Sequence, residues 1–459
     1  MRWTGMWVAV ALCHATVFAN DSGDEVTRLK ERNKTLEERV TQLERTALSE
    51  EVEAFLKEGE DVAPPRLLKR GLRLRVSGEI RVRHDVRDND YTPADSSGSV
   101  SVEFGHMRTR IRLDVDVVDD VSAVVEFQDV RILGSEGSTV ADTAGVDLKR
   151  AFASFHDVGG AAVTVDIGRF VLAYGDQRLI GHLEWFDQGR TYDGIRARRK
   201  GQTYWVDMFA VRIRETVTPD DDQWLAGFYG NSGPVDAYIL VFGDSMSMAG
   251  ELISGDTLFL TIGVRMHRKR DRWDYTAEFA IQVGDHREDD LEALAFVLAG
   301  GYTFDDSSMQ PRLGIEVAFA SGDDNPADGD QGTFQTLFPT NHLHYGRADL
   351  VGWGNLLNVK LVLSAKLSSQ VKGFIEYHHF RVVEEAGPWV NAGGGTIRTG
   401  APGVSKHLGD EIDVYMTYAP KKNVTFLFKF ALFLPGGFVN DTGPDETTTV
   451  FYLQTHVKF

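Results

Sequence analysis

Arginine recurs at alternate positions in RLRVSGEIRVRH, where Arg73, Arg75, Arg81 and Arg83 are interleaved with Leu74, Val76, Ile80 and Val82. HMRTRIRLDVDV repeats the device, with Arg108, Arg110 and Arg112 on one parity and Met107, Ile111 and Leu113 on the other. LNVKLVLSAKL sets Lys360 and Lys366 against Leu357, Val359 and Leu361. A guanidinium is a planar fork that grips both oxygens of a carboxylate, so rows of arginine suit the handling of organic acids. Rings of Arg and Lys are also a common way to line a pore for anions. The competing role is bracing, in which each arginine pairs with a nearby acid such as Glu79, Asp114 or Asp116.

Other chemistries fit less well. GDDNPADGDQG gathers Asp324, Asp328 and Asp330 into one loop, a candidate for Ca2+, but it lacks the closing glutamate of an EF-hand and reads more simply as a solvated loop. No other cofactor is expected. His342 with His344, and His378 with His379, have no acidic or cysteine partner at a recognised ligand spacing, so they read as lumen or loop histidines. GDSMS offers Ser245 to an esterase reading, yet no helix or triad order follows it. Neither a P-loop nor a dinucleotide fingerprint is present. The expectation is therefore a protein that is not an enzyme, with an outer-membrane lipase or esterase as the alternative from that class.

Strict period-two alternation requires strands to position these side chains. A charge on the lipid face costs about 2–4 kcal/mol for Arg or Lys near the bilayer midplane, so in a membrane barrel the basic stripes must turn inward. The two ends of the chain agree with a barrel. Arg2, the apolar run Met6 to Phe18 and the small-residue site at Ala19 read as a signal peptide over 1–19, which holds Cys13, the sole cysteine. No later apolar run approaches the ~18 residues of a membrane helix. VFYLQTHVKF alternates Phe451, Leu453, Thr455 and Val457 with polar residues and ends on Phe459, the pattern of a closing barrel strand. The formal net charge of -19 is assigned to turns and loops such as Asp220 to Asp222 and Glu288 to Asp290, not to the lumen.

Residues 24–57 differ in kind. Val26, Leu29, Asn33, Leu36, Val40, Leu43 and Ala47 form a heptad seam, which predicts a short coiled coil and hence a partner, most simply copies of itself. The alternative is a helix folded back against the barrel. Paired prolines in DVAPPRLLKRG mark a linker over 58–71. From 72 to 459 the alternating segments number about eighteen, consistent with an even-stranded barrel. The long connections at 133–146, 171–190, 321–354 and 385–408 are expected to be external or folded into the lumen.

Four segments carry a resemblance to a known family: GRFVLAYGDQRLIGHLEWFDQGRTYDGIRARR (168–199), LFPTNHLHYGRADLVGWGNL (337–356), EYHHFRVVEE (376–385) and LGDEIDVYMTYAPKKNVTFLFKFALFLPGG (408–437). In their order and spacing the chain resembles the alginate-export family of outer-membrane porins over residues 72–459. The resemblance implies an eighteen-stranded monomeric barrel whose basic lumen passes an anionic polyuronate, and it carries pore positions onto Arg169, Arg347 and Lys429.

The expected fold is therefore all-β, a transmembrane antiparallel barrel of about eighteen strands preceded by a short N-terminal coiled-coil helix. The expected function is diffusion of an alginate-like polysaccharide or another organic anion through a lumen lined by Arg169, Arg347, Lys429, Arg81, Arg83, Arg108, Arg110, Arg112 and Lys360. The alternative within transport is a phosphate or carboxylate porin trimerised by the coiled coil. Expected partners are the anion, outer-membrane lipid, the barrel-assembly machinery through the Phe459 strand, and further copies through residues 24–57, with no nucleic acid. The expected location is the outer membrane of a Gram-negative-type envelope, the coiled coil lying in the periplasm.

Overall fold

The structure is a computed structural model that describes residues 73–135, 145–215, 222–245 and 256–459. The expected signal peptide, coiled coil and linker lie outside the described residues. Leu72–Phe459 form one compact unit.

Alternation in the sequence becomes strand after strand. The first half of the wall is β1 (Arg73–Asp90), β2 (Val100–Val118), β3 (Val121–Ile132), β4 (Asp147–Phe155), β5 (Val163–Phe170), β6 (Tyr192–Lys200), β7 (Tyr204–Arg214), β8 (Gln223–Ser232) and β9 (Val235–Asp244). The second half is β10 (Thr257–Arg270), β11 (Trp273–His286), β12 (Asp289–Thr303), β13 (Arg312–Ala320), β15 (Leu356–Lys366), β16 (Val371–Val382), β19 (His407–Lys421), β20 (Val424–Pro435) and β21 (Thr448–Lys458). Three short strands lie in connections: β14 (Asp330–Gln331), β17 (Pro388–Val390) and β18 (Thr396–Thr399). Each wall strand pairs antiparallel with its neighbours along the chain, and β21 pairs with β1, which closes an eighteen-stranded barrel.

Closure is tight at the end of the chain. Gly78 and Phe459 exchange both backbone hydrogen bonds, at 2.8 and 2.9 Å. A Cβ at position 78 would stand 2.6 Å from both the Phe459 ring and the Arg110 carbonyl oxygen, so glycine is what lets the last residue lie against the seam.

Burial is inverted relative to a soluble protein, where Leu and Val go inside and Arg stays out. Val76 is 59% exposed and Leu298 56%, whereas Arg108 is 2% exposed and Glu411 is fully buried. The apolar parity of each strand faces outward and the charged parity inward, which a soluble sandwich could not satisfy. No described helix is long and apolar enough to cross a membrane, so any crossing is by these strands.

Two long loops fold inward. The loop 171–191 follows β5, and the loop 321–355 follows β13. They join through a parallel bridge between Ile180 and Phe338, with Gly181 N donating to Phe338 O and Phe338 N to Leu179 O, both at 2.8 Å. Their apolar side chains, among them Leu172, Tyr174, Tyr345, Leu350 and Trp353, are buried and form the interior core. On the β7–β9 side that core is an aromatic stack in which Tyr174 lies 4.5 Å from Tyr229, and Tyr229 lies 5.4 Å from Tyr238.

Candidate functional site: a basic cavity beneath two loops

The inward parity of β1 and β2 brings the first basic stripes face to face. Arg81 stands opposite Arg108, Glu79 opposite Arg110 and Ser77 opposite Arg112. Like charges opposite one another destabilise a sheet, so the arrangement needs acids. Glu79 supplies one, bonding Arg108 at 2.5 Å. The loop 171–191 supplies two more: Asp187 meets Arg81 at 2.5 Å and also bonds His106, while Glu184 lies 3.1 Å from Arg108 and bonds Arg110. Burial pushes both loop carboxyls up, but the surrounding groups outweigh it. Arg110, Arg108 and Lys149 hold Glu184 below its usual value, and hydrogen bonds from His106 and Arg81 hold Asp187 well below its own.

Trp185, between those acids, is clamped by cations. The Arg83 guanidinium lies 4.2 Å from its ring centroid and the Lys429 ammonium 3.7 Å. His342 of the second loop stacks on the same indole at 3.8 Å, and its Nε2 is 2.7 Å from Lys429 Nζ. Burial first, then Lys429 and Arg347, depress the His342 imidazole well below its usual value, so it is neutral and can accept from the ammonium. Arg347 is held by Glu376 at 3.0 Å, by the Tyr415 hydroxyl and by the His342 carbonyl at 2.6 Å.

Beneath these loop residues lies a cavity of about 1010 Å³. Nine Lys and Arg residues line it against three carboxylates, Glu79, Glu126 and Glu184, so its lining is basic even though the chain is acidic. All of its strand residues come from β1–β4, β16 and β19–β21, the arc on either side of the closing seam. Among the described residues, Lys429, Lys372 and Lys458 make no ion pair with a carboxylate.

The expected site residues divide accordingly. Arg81, Arg108, Arg110, Arg112, Arg347 and Lys429 line the cavity. Arg83 points inward at its edge, paired with Asp85 at 2.8 Å. Lys360 points inward but pairs with Glu316 at 3.2 Å away from the cavity. Arg169 is a correction: it shares strand parity with Ile167, which is 49% exposed on the outer face, and it pairs there with Asp193 at 2.7 Å. Its position at the loop end of β5 explains why an outward arginine is tolerated there, because the cost of charge on the lipid face fades toward the interface.

Asp324, Asp328 and Asp330 do not converge on a metal position among the described residues. Asp328 instead accepts from the Asp330 backbone at 3.1 Å, a local turn contact. Ser245 Oγ donates to the Asp222 carbonyl oxygen at 3.2 Å and accepts from Asp222 N at 3.1 Å, which is not the environment of a nucleophile.

Several lining residues escaped sequence reasoning. Lys372, His456 and Lys458 lie on the polar parity of alternating strands, so the signal existed. Glu184 and Trp185 sit in a loop without periodicity, and nothing local marks their inward turn.

Comparison with known proteins is consistent with this geometry. The alginate-export family model matches residues 72–453. No curated protein matches the chain by sequence. Among solved structures, OccD3 (OpdP) of Pseudomonas aeruginosa has a TM-score of 0.55 at 10% identity, over 84% of this chain and 91% of that one. OccK2 (OpdF) of the same organism, solved in complex with glucuronate, has a TM-score of 0.54 at 11% identity, over 84% and 98%. The outer membrane protein OpdK from Pseudomonas aeruginosa has a TM-score of 0.52 at 11% identity, over 84% and 99%. At such identity these structures speak for the fold, an outer-membrane β-barrel, and the family match over most of the chain speaks for kinship: the chain belongs to the alginate-export family, a family of channels and not of enzymes.

Proposed function

We propose that the protein is a passive outer-membrane porin that lets an acidic polysaccharide of the polyuronate kind, or another organic anion, diffuse along the basic cavity. The observation that carries this reading is the cavity lining, in which nine cations face three carboxylates. Lys429 and the cations at the short-turn end, Lys372 and Lys458, offer successive sites for carboxylates. The loops 171–191 and 321–355 act as the constriction, and by the usual placement of short turns in the periplasm the cavity faces that side. Purified protein in planar bilayers should conduct anions in preference to cations and be blocked by uronate oligomers. Cation selectivity without block would refute the proposal.

A second reading within transport is a porin for small carboxylates or phosphate, gathered as a trimer by residues 24–57. It is favoured by the roof that the two joined loops make over the cavity, which a single uronate passes more easily than a polymer does. The neighbour OccK2 was solved with glucuronate. Block by monomeric uronate at the same concentration as by oligomer would favour it, and native mass with and without residues 24–57 tests the trimer.

A further inference from the structure

Strands β16 and β19 bring four acceptor groups together on the inward face. Glu376 stands directly opposite Asp413, and His378 directly opposite Glu411. All four are buried, His378, Glu411 and Asp413 completely. Glu376 has a partner in Arg347 at 3.0 Å, and one oxygen of Glu411 accepts from Ala348 N at 2.9 Å. The remaining atoms are orphans: both carboxylate oxygens of Asp413, Oε2 of Glu411 and Nε2 of His378 have no hydrogen-bond partner. Lys360, opposite His378 on the neighbouring strand β15, is already paired with Glu316 at 3.2 Å.

The histidine can serve as an acceptor. Its Nδ1 lies 3.3 Å from the side-chain oxygen of Asn358, and with the ring proton on that nitrogen the Nε2 lone pair points at the carboxylates. Nε2 lies 3.6 Å from Asp413 Oδ2 and 3.9 Å from Glu376 Oε2. Burying an unpaired carboxylate costs far more than burying a neutral polar group, and like charges directly opposite on a sheet add to that cost. A cation placed among the three atoms removes both penalties at once.

We propose that Glu376, His378 and Asp413 bind a divalent transition-metal cation of the zinc class. Ligands about 2.1 Å from a tetrahedral ion stand about 3.4 Å apart, so the observed spacings need only a small contraction. One imidazole with carboxylate oxygens is a donor set such an ion accepts. Asn358 acts as the group that fixes the imidazole tautomer, the outer-shell role such sites require. Because Arg347 of the loop 321–355 holds Glu376, the ion fastens that loop to the wall. The site is independent of which anion the channel passes.

The adjacent outward cluster provides the contrast. Asp410 has the Tyr377 hydroxyl at 2.7 Å, His379 at 2.8 Å and His407 at 3.1 Å, so neither of its oxygens is an orphan.

Elemental analysis of full-length protein, purified in detergent without chelator and dialysed against zinc, should find one zinc per chain. In the chelated protein, added Co2+ should develop visible d–d absorption, and zinc should raise the unfolding temperature. Asp413→Asn and His378→Gln should weaken zinc binding by at least the 10- to 100-fold that loss of an outer-shell partner alone causes. His379→Ala should leave it unchanged. Wild-type protein without bound metal, or metal lost on His379→Ala and kept on Asp413→Asn, overturns the proposal. Where a variant does not fold, wild-type protein without bound metal still overturns the proposal.

Discussion

Replacing Lys429 by glutamine removes a cation that borders the cavity and has no carboxylate partner among the described residues. A substrate carboxylate about 4 Å from this ammonium gains about 4 kcal/mol of Coulomb energy at an effective dielectric near 20. Exchange of solvent reduces the net to that of a charge-assisted hydrogen bond, about 1.5–3 kcal/mol. Loss of that contribution corresponds to a decrease of roughly 10- to 100-fold in the affinity of a blocking uronate. The fold should survive, because what the protein itself loses is the contact to His342 at 2.7 Å and a cation–π contact to Trp185 of about 0.5–2 kcal/mol. The assay is single-channel conductance in planar bilayers with a titrated uronate oligomer, at low salt so that screening does not mask the difference. Lys360→Gln is the control, since Lys360 is engaged with Glu316 outside the cavity. Equal block of wild type and Lys429→Gln, or an equal loss in Lys360→Gln, would refute the assignment of ligand contact to unpaired cavity cations.

Three further outcomes follow from the same contacts. Asp187→Asn leaves Arg81 and His106 without their loop carboxylate, and breaking a buried pair of this kind costs about 3–5 kcal/mol. The loop 171–191 should then become sensitive to protease and the open-channel current larger, whereas unchanged cleavage and current would count against the latch. For His342 the sign is set by its depressed imidazole: free in solution it takes a proton below about pH 6.5, docked it does not. Docking of the loop 321–355 should therefore be pH-independent above that value and weaken by about 1.4 kcal/mol per pH unit below it, read as the reactivity of a single cysteine introduced into that loop, and the pH dependence should be abolished in His342→Gln. Gly78→Ala forces a Cβ to within 2.6 Å of the Phe459 ring and of the Arg110 carbonyl oxygen. It should lower thermal stability by about 1–3 kcal/mol, with Phe459→Ala restoring only part because the backbone contact remains.

Legibility of the molecule in its sequence followed the range of the forces involved. Strand parity is local, so the faces of β1, β2, β15 and β20 could be read from alternation, and the closed wall of eighteen strands agrees with the expected number. Arg81, Arg108, Arg110, Arg112 and Lys429 reached the cavity for that reason. Arg169 did not, since its parity puts it with Ile167 and a family pattern carried it inward against the local rule. Glu184, Asp187 and Trp185 belong to a loop whose path is set by contacts more than 70 residues away along the chain, such as Arg110 with Glu184, and no periodic signal encodes such contacts. The metal-like block of Glu376, His378, Glu411 and Asp413 was hidden similarly. Its members are two apart within each strand, but only the register between β16 and β19 places them opposite one another.

That division of the interior also resolves how an acidic chain holds a basic pore. The barrel is not lined evenly. Along β7–β13 the inward acids are absorbed: Asp207 by Arg198 and Tyr174, Asp236 by Arg265, Glu278 by Tyr238, Glu316 by Arg178 and Lys360. The folded loops and their aromatic stack cover that wall, so its charges meet no passing ion. On the other side, β1–β4 and β19–β21 meet at the closing seam and keep more cations than acids, with the surplus facing the cavity. In the proposed porin the path for anions is therefore eccentric and runs along the seam. Sequence-distant charges at the start and end of the barrel, Arg110 and Lys429 among them, then act on the same ligand. Single replacements on the β7–β13 side should affect stability, and replacements along the seam should affect selectivity.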